Sequence, residues 1–331
     1  MDEQQTEMKE YLSCDLIEHG FDFSVDAINF CCRTTEDGGG FTPLIPNYKG
    51  EKIDWDKFFE TKNSHRKKMR ENNIIPECKG CIHLYKKAWD TENYISHINF
   101  NNWTVCNAKC IYCYLTYLRS KKQNPKSYAV FPIIKDLINK KLLRTDGNIT
   151  IAGGEPTIIG EFEKVLNMLL DYGVKDIRIN TNAIKYSKAI EKGIKKGVIS
   201  LVSSVDSGTR EKFKLIKSVD KHNDVWKNMQ KYCNAQVKDY QVKTKLIILP
   251  GINTTTEEVD AWIDKSKKIG LKYIAVDIEL NWYFKNKDNL PKELFEIFNH
   301  IIKKAEENEL KIEYQDRAEM LLNKINKGVN V

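Results

Sequence analysis

From about residue 127 onward, the apolar positions of the chain repeat one pattern: a short apolar run, a turn, then a stretch with apolar residues three and four apart. NITIAG at 148–153 precedes such a stretch near 160–172, and KDIRIN at 175–180 precedes one near 185–196. VISLVSSVD at 198–206 leads to a helix near 222–234, VKTKLIILPG at 242–251 to one near 255–268, and LKYIAVDIEL at 271–280 to one near 291–308. LKIEYQD at 310–316 then reads as an edge strand before a last helix near 316–328. This alternation predicts βα units around a parallel sheet, whose strands are covered on both faces and so lose a strict period of two. With ISHINFNNWTV at 95–105 as the first strand, the expected fold is α/β, a partly open (β/α)6 TIM-like barrel over residues 95–331. Residues 1–94 differ, with DGGG and IPNYKG turns and few long apolar runs. They read as an irregular, loop-rich extension that a metal site would hold in shape.

A chain of 331 residues buries a full core without needing metals or disulfides for stability. No apolar run approaches the roughly 20 residues that span a bilayer, and no basic-then-apolar start is visible, so the expectation is a cytoplasmic protein with no membrane partner. Net charge is +7, from 53 basic and 46 acidic side chains, an excess too small to point to nucleic acid. The densest basic stretches, KNSHRKKMR at 62–70 and RSKKQNPK at 119–126, read as solvated faces, with contact to an anionic substrate or tRNA as the alternative. The nine cysteines are unevenly spread: Cys14, Cys31, Cys32, Cys78, Cys81, Cys106, Cys110 and Cys113 lie in groups and Cys233 stands alone. In a reducing compartment such grouping favours metal ligation over disulfides, and Cys233 reads as a small buried hydrophobe.

CNAKCIYCY at 106–114 supplies three thiolates from one short loop, C-x3-C-x2-C. Three soft ligands suit an iron-sulfur cluster and leave one iron open for chemistry, whereas structural zinc normally takes four protein ligands. Directly after the predicted second strand, Gly153, Gly154, Glu155, Pro156 and Thr157 form GGEPT, where two glycines allow close backbone approach and a carboxylate beside exposed carbonyls suits an ammonium. No G-K-[ST] or G-x-G-x-x-G accompanies it, so it is not a phosphate loop. Together these residues resemble the radical S-adenosylmethionine (radical SAM) signature, in which an aromatic, here Tyr112, precedes the last cysteine. The resemblance implies a [4Fe-4S] cluster on Cys106, Cys110 and Cys113, with S-adenosyl-L-methionine (SAM) chelating the open iron and its amino group received by GGEPT.

Further polar residues fall at the C-terminal ends of predicted strands, where barrels place active sites. Asn180 and Asn182 end the third; Ser203, Ser204 and Asp206 end the fourth. By resemblance the fourth-strand group would meet SAM, although Asp206 equally suits a cap for the segment starting GTREKF. Pro250, Gly251, Ile252 and Asn253 make the turn after the fifth strand, which the same resemblance implies would pack the adenine. Lys245, with Asp277 and Glu279 on alternate positions of the sixth strand, is expected to share one side of the cavity, and these three are candidate catalytic residues. Cys14, one of the adjacent pair Cys31 and Cys32, Cys78 and Cys81 supply four ligands for a second centre, either a second [4Fe-4S] cluster or zinc. This segment resembles the SPASM-type auxiliary-cluster domains of radical SAM maturases, but precedes the barrel instead of following it. The implied activity is reductive cleavage of SAM to a 5'-deoxyadenosyl radical that abstracts a substrate hydrogen, fed by a one-electron donor such as flavodoxin or ferredoxin. The substrate reads as a peptide or protein side chain, or alternatively a small sugar-like metabolite. A non-catalytic electron carrier or a zinc-structured binding protein would have no use for GGEPT at a strand end.

Overall fold

The computed structural model describes residues 10–31, 43–71, 73–79, 81, 83–89, 92–122 and 127–326. Its elements begin with β1 (Tyr11–Ser13), α1 (Asp15–His19), β2 (Gly20–Phe23), β3 (Ala27–Asn29), β4 (Ile45–Pro46), α2 (Trp55–Arg70) and β5 (Tyr85–Lys87). There follow β6 (His97–Phe100), α3 (Tyr114–Ser120), α4 (Phe131–Asn139), β7 (Asn148–Ile151), α5 (Phe162–Tyr172), β8 (Asp176–Thr181), α6 (Lys188–Lys195) and β9 (Ile199–Ser204). The chain continues with α7 (Arg210–Lys217), α8 (His222–Ala235), β10 (Val242–Ile248), α9 (Thr256–Lys268), β11 (Tyr273–Ile278), α10 (Leu280–Asn286), α11 (Lys292–Glu307), β12 (Lys311–Tyr314) and α12 (Asp316–Asn326). The class is α/β, and β6 to β11, separated by helices, are the six strands of the partial (β/α)6 barrel. No helix among the described residues is long and apolar enough to cross a membrane.

Two compact units make up the chain: Met1–Thr104, Lys126–Gly153 and Met168–Asp176 form the first, and Val105–Pro125, Gly154–Asn167 and Ile177–Val331 the second. In the first, the strand order is β4-β3-β2-β6-β7. Strand β2 runs parallel to β6, Phe21 opposite Ile98 and Phe23 opposite Phe100, and all four side chains are buried. The ring of Phe23 stacks on Phe100 at 5.0 Å between centroids, while Phe21 packs on Trp55 and Phe58 of α2. Within the segment before residue 94, β2, β3 and α2 are thus regular elements that its loop-rich sequence did not reveal. GFDF hides a strand because its one acid, Asp22, is buried and satisfied by Ser24 Oγ at 2.5 Å and Asn101 Nδ2 at 2.9 Å. The glycine before it is obligatory: a Cβ at Gly20 would stand 2.3 Å from the Phe30 carbonyl oxygen.

The basic stretch at 62–70 also differs from expectation. It lies on α2, capped by Asp54, whose carboxylate accepts from the Lys57 N–H at 3.2 Å, and Lys62 and Arg66 are turned inward. Lys62 Nζ donates to the carbonyls of Leu16 (3.2 Å) and Gly20 (2.8 Å), and Arg66 pairs with the buried Glu18 at 2.7 Å. Burial is tolerated because each charge finds hydrogen-bond partners.

In the second unit β8, β9, β10, β11 and β12 are parallel and in that order. Their registers place Arg178, Asn180, Ser200, Ser204, Lys243, Lys245, Asp277, Glu313 and Gln315 on one face. The opposite face carries Ile177, Ile179, Ile199, Leu201, Val242, Leu246, Ile274 and Val276, all buried. Val202, Ile247 and Ala275 interleave on the first face, so it is mixed, and the central strands keep the period of two only in part. Ser187, Thr209 and Thr255 cap α6, α7 and α9 by accepting N–H bonds through their hydroxyls.

Candidate active site at the three-cysteine loop

Strand β6 is shorter than the apolar run at 95–105 suggests, and the released residues become the loop bearing Cys106, Cys110 and Cys113, with Cys113 at the N-cap of α3. The loop's backbone is tied down by protein groups. Lys109 N–H donates to the Lys217 carbonyl and Ile111 N–H to that of Ile216, each at 3.0 Å, so the end of α7 clamps the loop. Arg119 reaches back to the carbonyls of Ala108 (3.0 Å) and Cys106 (3.1 Å). Asn182 Nδ2 donates to Asn107 Oδ1 at 2.7 Å and lies 3.8 Å from Cys106 Sγ, which also accepts the Ala108 N–H at 3.4 Å. The three thiols are half-buried. Burial pushes Cys106 up to about 11 and raises Cys110, the latter against the lowering pull of Lys217. As free thiols Cys106 and Cys110 hold their protons at neutral pH, and a thiophilic metal centre would displace them. The donor set, three soft sulfurs on a rigid loop, fits a three-cysteine iron-sulfur site.

Beside the loop stands a buried charge cluster. Tyr112 Oη donates to Asp206 Oδ2 at 2.5 Å, and Lys217 Nζ donates to the same carboxylate oxygen and contacts Tyr112 Oη at 3.0 Å. Asp206 Oδ1 accepts the Ile247 N–H at 2.9 Å. Burial pulls the Lys217 ammonium down, but the charges of Asp206 and Cys110 outweigh it and leave it above the ordinary lysine value. Asp206 is not the cap of the GTREKF segment; Thr209 is, and Asp206 at φ 60° anchors Tyr112 and the start of the next strand pair. Lys217 escaped the sequence reading. Its signal is its place four residues after Phe213 and next to Ile216, where α7 continues its buried stripe with a lysine.

Glu155 is wholly buried and acts as a brace, not as the open carboxylate expected for an ammonium. Its Oε1 accepts from Thr157 N (3.1 Å), Thr157 Oγ1 (2.6 Å) and Thr181 Oγ1 (2.7 Å), and its Oε2 from Asn182 N (2.7 Å). Burial raises its pKa, and these four bonds oppose the rise. Gly154 precedes it, and Pro156 and Thr157 form the short turn Pro156–Ile158 after it. Gly153 belongs to the first unit; it adopts φ 92°, where a Cβ would stand 2.7 Å from the Trp103 carbonyl oxygen.

The remaining site residues divide. Asn180 and Ser204 are half-buried on the polar face, Ser204 opposite Lys245. Asn253 braces its turn, accepting from Leu249 N at 2.7 Å and donating to the carbonyls of Asp206 and Ile247, each at 2.9 Å. Gly251, at φ 76°, has open space where its Cβ would be. Lys245 is not the partner of Asp277. Its Nζ lies 3.4 Å from Gln315 Oε1, while Asp277 pairs with Arg317, a residue the sequence reading missed. Burial lowers Lys245 and raises Asp277. Glu279 does not share a strand face with Asp277: β11 ends at Ile278, and the Glu279 carboxylate caps α10 through Asn281 N (3.1 Å) and Trp282 N (2.6 Å).

In the first unit Cys14, Cys31 and Cys78 are buried in one cluster with Ile17, Phe30, Met69 and Ile75, and Cys81 N–H donates to the Cys78 carbonyl at 3.1 Å. Cys32 and the DGGG turn lie outside the described residues. Burial raises the Cys14 thiol, whose sulfur accepts the Ile17 N–H at 3.4 Å. Among the described residues no three His, Cys, Asp or Glu side chains converge as ligands of a single metal ion.

The radical SAM superfamily pattern matches residues 103–264. The chain is 30% identical over 185 residues to a GTP 3',8-cyclase of Clostridium botulinum (strain Hall), covering 55% of this chain and 56% of that protein. It is 28% identical over 196 residues to that of Desulforamulus reducens, covering 56% and 57%. It thus spans about half the length of the curated relatives it matches. Among solved structures, Streptococcus suis SuiB bound to precursor peptide SuiA superposes with a TM-score of 0.54 at 14% identity, covering 81% of this chain and 56% of that one. Native anSMEcpe with bound AdoMet gives 0.51 at 16%, covering 70% and 66%. These likenesses extend the shared fold beyond the matched segment. Residues 103–264 form a radical SAM domain.

Proposed function

We propose that the chain binds a [4Fe-4S] cluster on Cys106, Cys110 and Cys113, binds SAM beside it, and modifies a peptide or protein side chain by hydrogen abstraction. The observation that carries this reading is the loop itself: its backbone groups are bound by Lys217, Ile216 and Arg119 and its Asn107 side chain by Asn182, which fixes the segment that bears the three cysteines. When bound, the cluster and SAM would supply the chemistry, reductive cleavage to methionine and a 5'-deoxyadenosyl radical. The protein's part is to hold the loop rigid. Lys217 and Asp206 fix Tyr112 between two cysteines, and Glu155 ties the GGEPT turn to the end of β8. Asn180, Ser204, Gly251 and Asn253 stand as residues that border SAM, and Lys245 and Asp277, on the polar face, as residues that meet substrate. A one-electron donor such as flavodoxin or ferredoxin would feed the site, and a cytoplasmic location would suit both thiols and donor.

Support for a peptide substrate comes from the fold shared with SuiB, which was seen with a precursor peptide. The rival, a small anionic or sugar-like metabolite, is favoured by the GTP 3',8-cyclases and by Lys245 on the polar face, where Arg178 and Lys243 are already paired with Glu313. The reading extends to a second centre on Cys14, Cys31, Cys78 and Cys81, iron-sulfur or zinc. Iron and sulfide counts after anaerobic reconstitution test it, in wild type and in a variant with Cys106, Cys110 and Cys113 all changed to Ala. Two clusters predict about eight irons falling to about four. A fall from about four to almost none would remove the second iron centre, and iron unchanged by the triple substitution would overturn the first.

A further inference from the structure

The outer side of the cysteine loop is as distinctive as its inner side. From Val105 to Lys122 the chain carries Lys109, Arg119, Lys121 and Lys122 and no Asp or Glu. Arg119 is engaged with the loop carbonyls, but the three lysines are exposed. Among them stand large apolar side chains in water: Ile111 is 45% exposed, Tyr114 51%, Tyr117 62% and, on α7, Leu215 54%.

These residues are continuous. Ile111 N–H bonds to the carbonyl of Ile216, next to Leu215; Tyr114 and Tyr117 are one turn apart on α3; and the Lys121 ammonium lies 5.6 Å from the Tyr117 ring centroid. On α7 the exposed Lys214 extends the basic rim, while the helix's one acid, Glu211, lies in its first turn. Single exposed apolar residues need no explanation, but a cluster rimmed by one sign of charge marks an interaction surface. The patch also lies directly over the reactive loop. Tyr114 directly follows Cys113 and opens α3.

We propose that Lys109, Ile111, Tyr114, Tyr117, Lys121 and Lys122, with Leu215 and Lys214, dock an acidic one-electron carrier protein. The inference rests on the SAM-cleavage reading above and names the partner that reading requires. One electron leaves the reduced carrier, which ends one electron oxidised. It is consumed as the sulfonium–C5' bond of SAM breaks, and the positive charge of the sulfonium is cancelled in methionine and the 5'-deoxyadenosyl radical. Opposite charge across such a surface raises the encounter rate and makes it fall with salt, and the apolar centre excludes water from the contact.

The test compares two reductants on the iron-loaded protein, reduced flavodoxin as an acidic carrier and dithionite as a small one, reading 5'-deoxyadenosine formed. For the variant Lys109→Glu, Lys121→Glu, Lys122→Glu, the flavodoxin-driven rate falls about tenfold or more at low salt, and the dithionite-driven rate stays within about twofold of wild type. Lys214→Glu, outside the loop, lowers only the flavodoxin-driven rate, and added salt slows the wild type with flavodoxin alone. Flavodoxin-driven rates indifferent to both salt and charge reversal would overturn the proposal, as would equal losses with both reductants in both variants. Iron-loaded wild type that forms no 5'-deoxyadenosine with either reductant would instead sink the SAM-cleavage reading, and the docking surface with it.

Discussion

Lys217 connects more of the cysteine loop than any cysteine does, through its carbonyl to Lys109 and through its ammonium to Asp206 and Tyr112. Changing it to Met leaves the Asp206 carboxylate buried without a counter-charge, and breaking such a pair from one side costs about 3–5 kcal/mol. Asn is the appropriate companion substitution, since Asp206 sits at φ 60°, a left-handed conformation that Asn tolerates. The double variant Lys217→Met, Asp206→Asn is expected to lose clearly less than the sum of the two single losses, measured by urea denaturation as a double-mutant cycle. Additive losses would mean that the ion pair does not hold the loop. The cysteines, Tyr112 and GGEPT were legible in the sequence because their chemistry depends on spacing within one short segment. Lys217, Arg317 and the buried role of Glu155 were not, because each is defined by a partner tens of residues away.

At the scale of elements, the short helices α7 and α10 were not foreseen, while the strands and helices expected after residue 148 fall within a few residues of their predicted positions. Each is a short apolar run or an amphipathic stretch bounded by turn and cap residues. The early segment was misread where polar residues are buried: Asp22 interrupts the apolar run of β2, and Lys62 and Arg66 make the buried side of α2 look solvated. Lys62 carries a testable consequence. Burial, with Arg66 adding, lowers its pKa from the ordinary 10.5 to about 7, against the pull of Glu18, Cys14 and Cys31. Above that value the folded protein has released a proton that the unfolded chain still holds, so stability rises with pH and is lost as pH falls toward about 7. In metal-free protein, denaturation midpoints at about pH 7 and about pH 8.5 should show this rise, at about 1.4 kcal/mol per pH unit at most. The Lys62→Met variant should lack it. An equal slope in both proteins would assign the effect to other groups.

Across the whole molecule, each of the two units holds one set of cysteines, Cys14, Cys31, Cys78 and Cys81 in the first and Cys106, Cys110 and Cys113 in the second. Under the proposed reading, the three would hold an open, reactive centre and the four a fully ligated one. The polar face was less legible, because it is assembled from five strands whose residues are scattered from Arg178 to Gln315. The reactive centre can be tested without knowing the substrate. Iron-loaded protein given SAM and dithionite under anaerobic conditions should form 5'-deoxyadenosine and methionine in equal amounts, and Cys113→Ala should form neither. Iron-loaded wild type that leaves SAM intact, or a Cys113→Ala variant that cleaves it at the wild-type rate, would contradict the assignment of the radical chemistry to this loop.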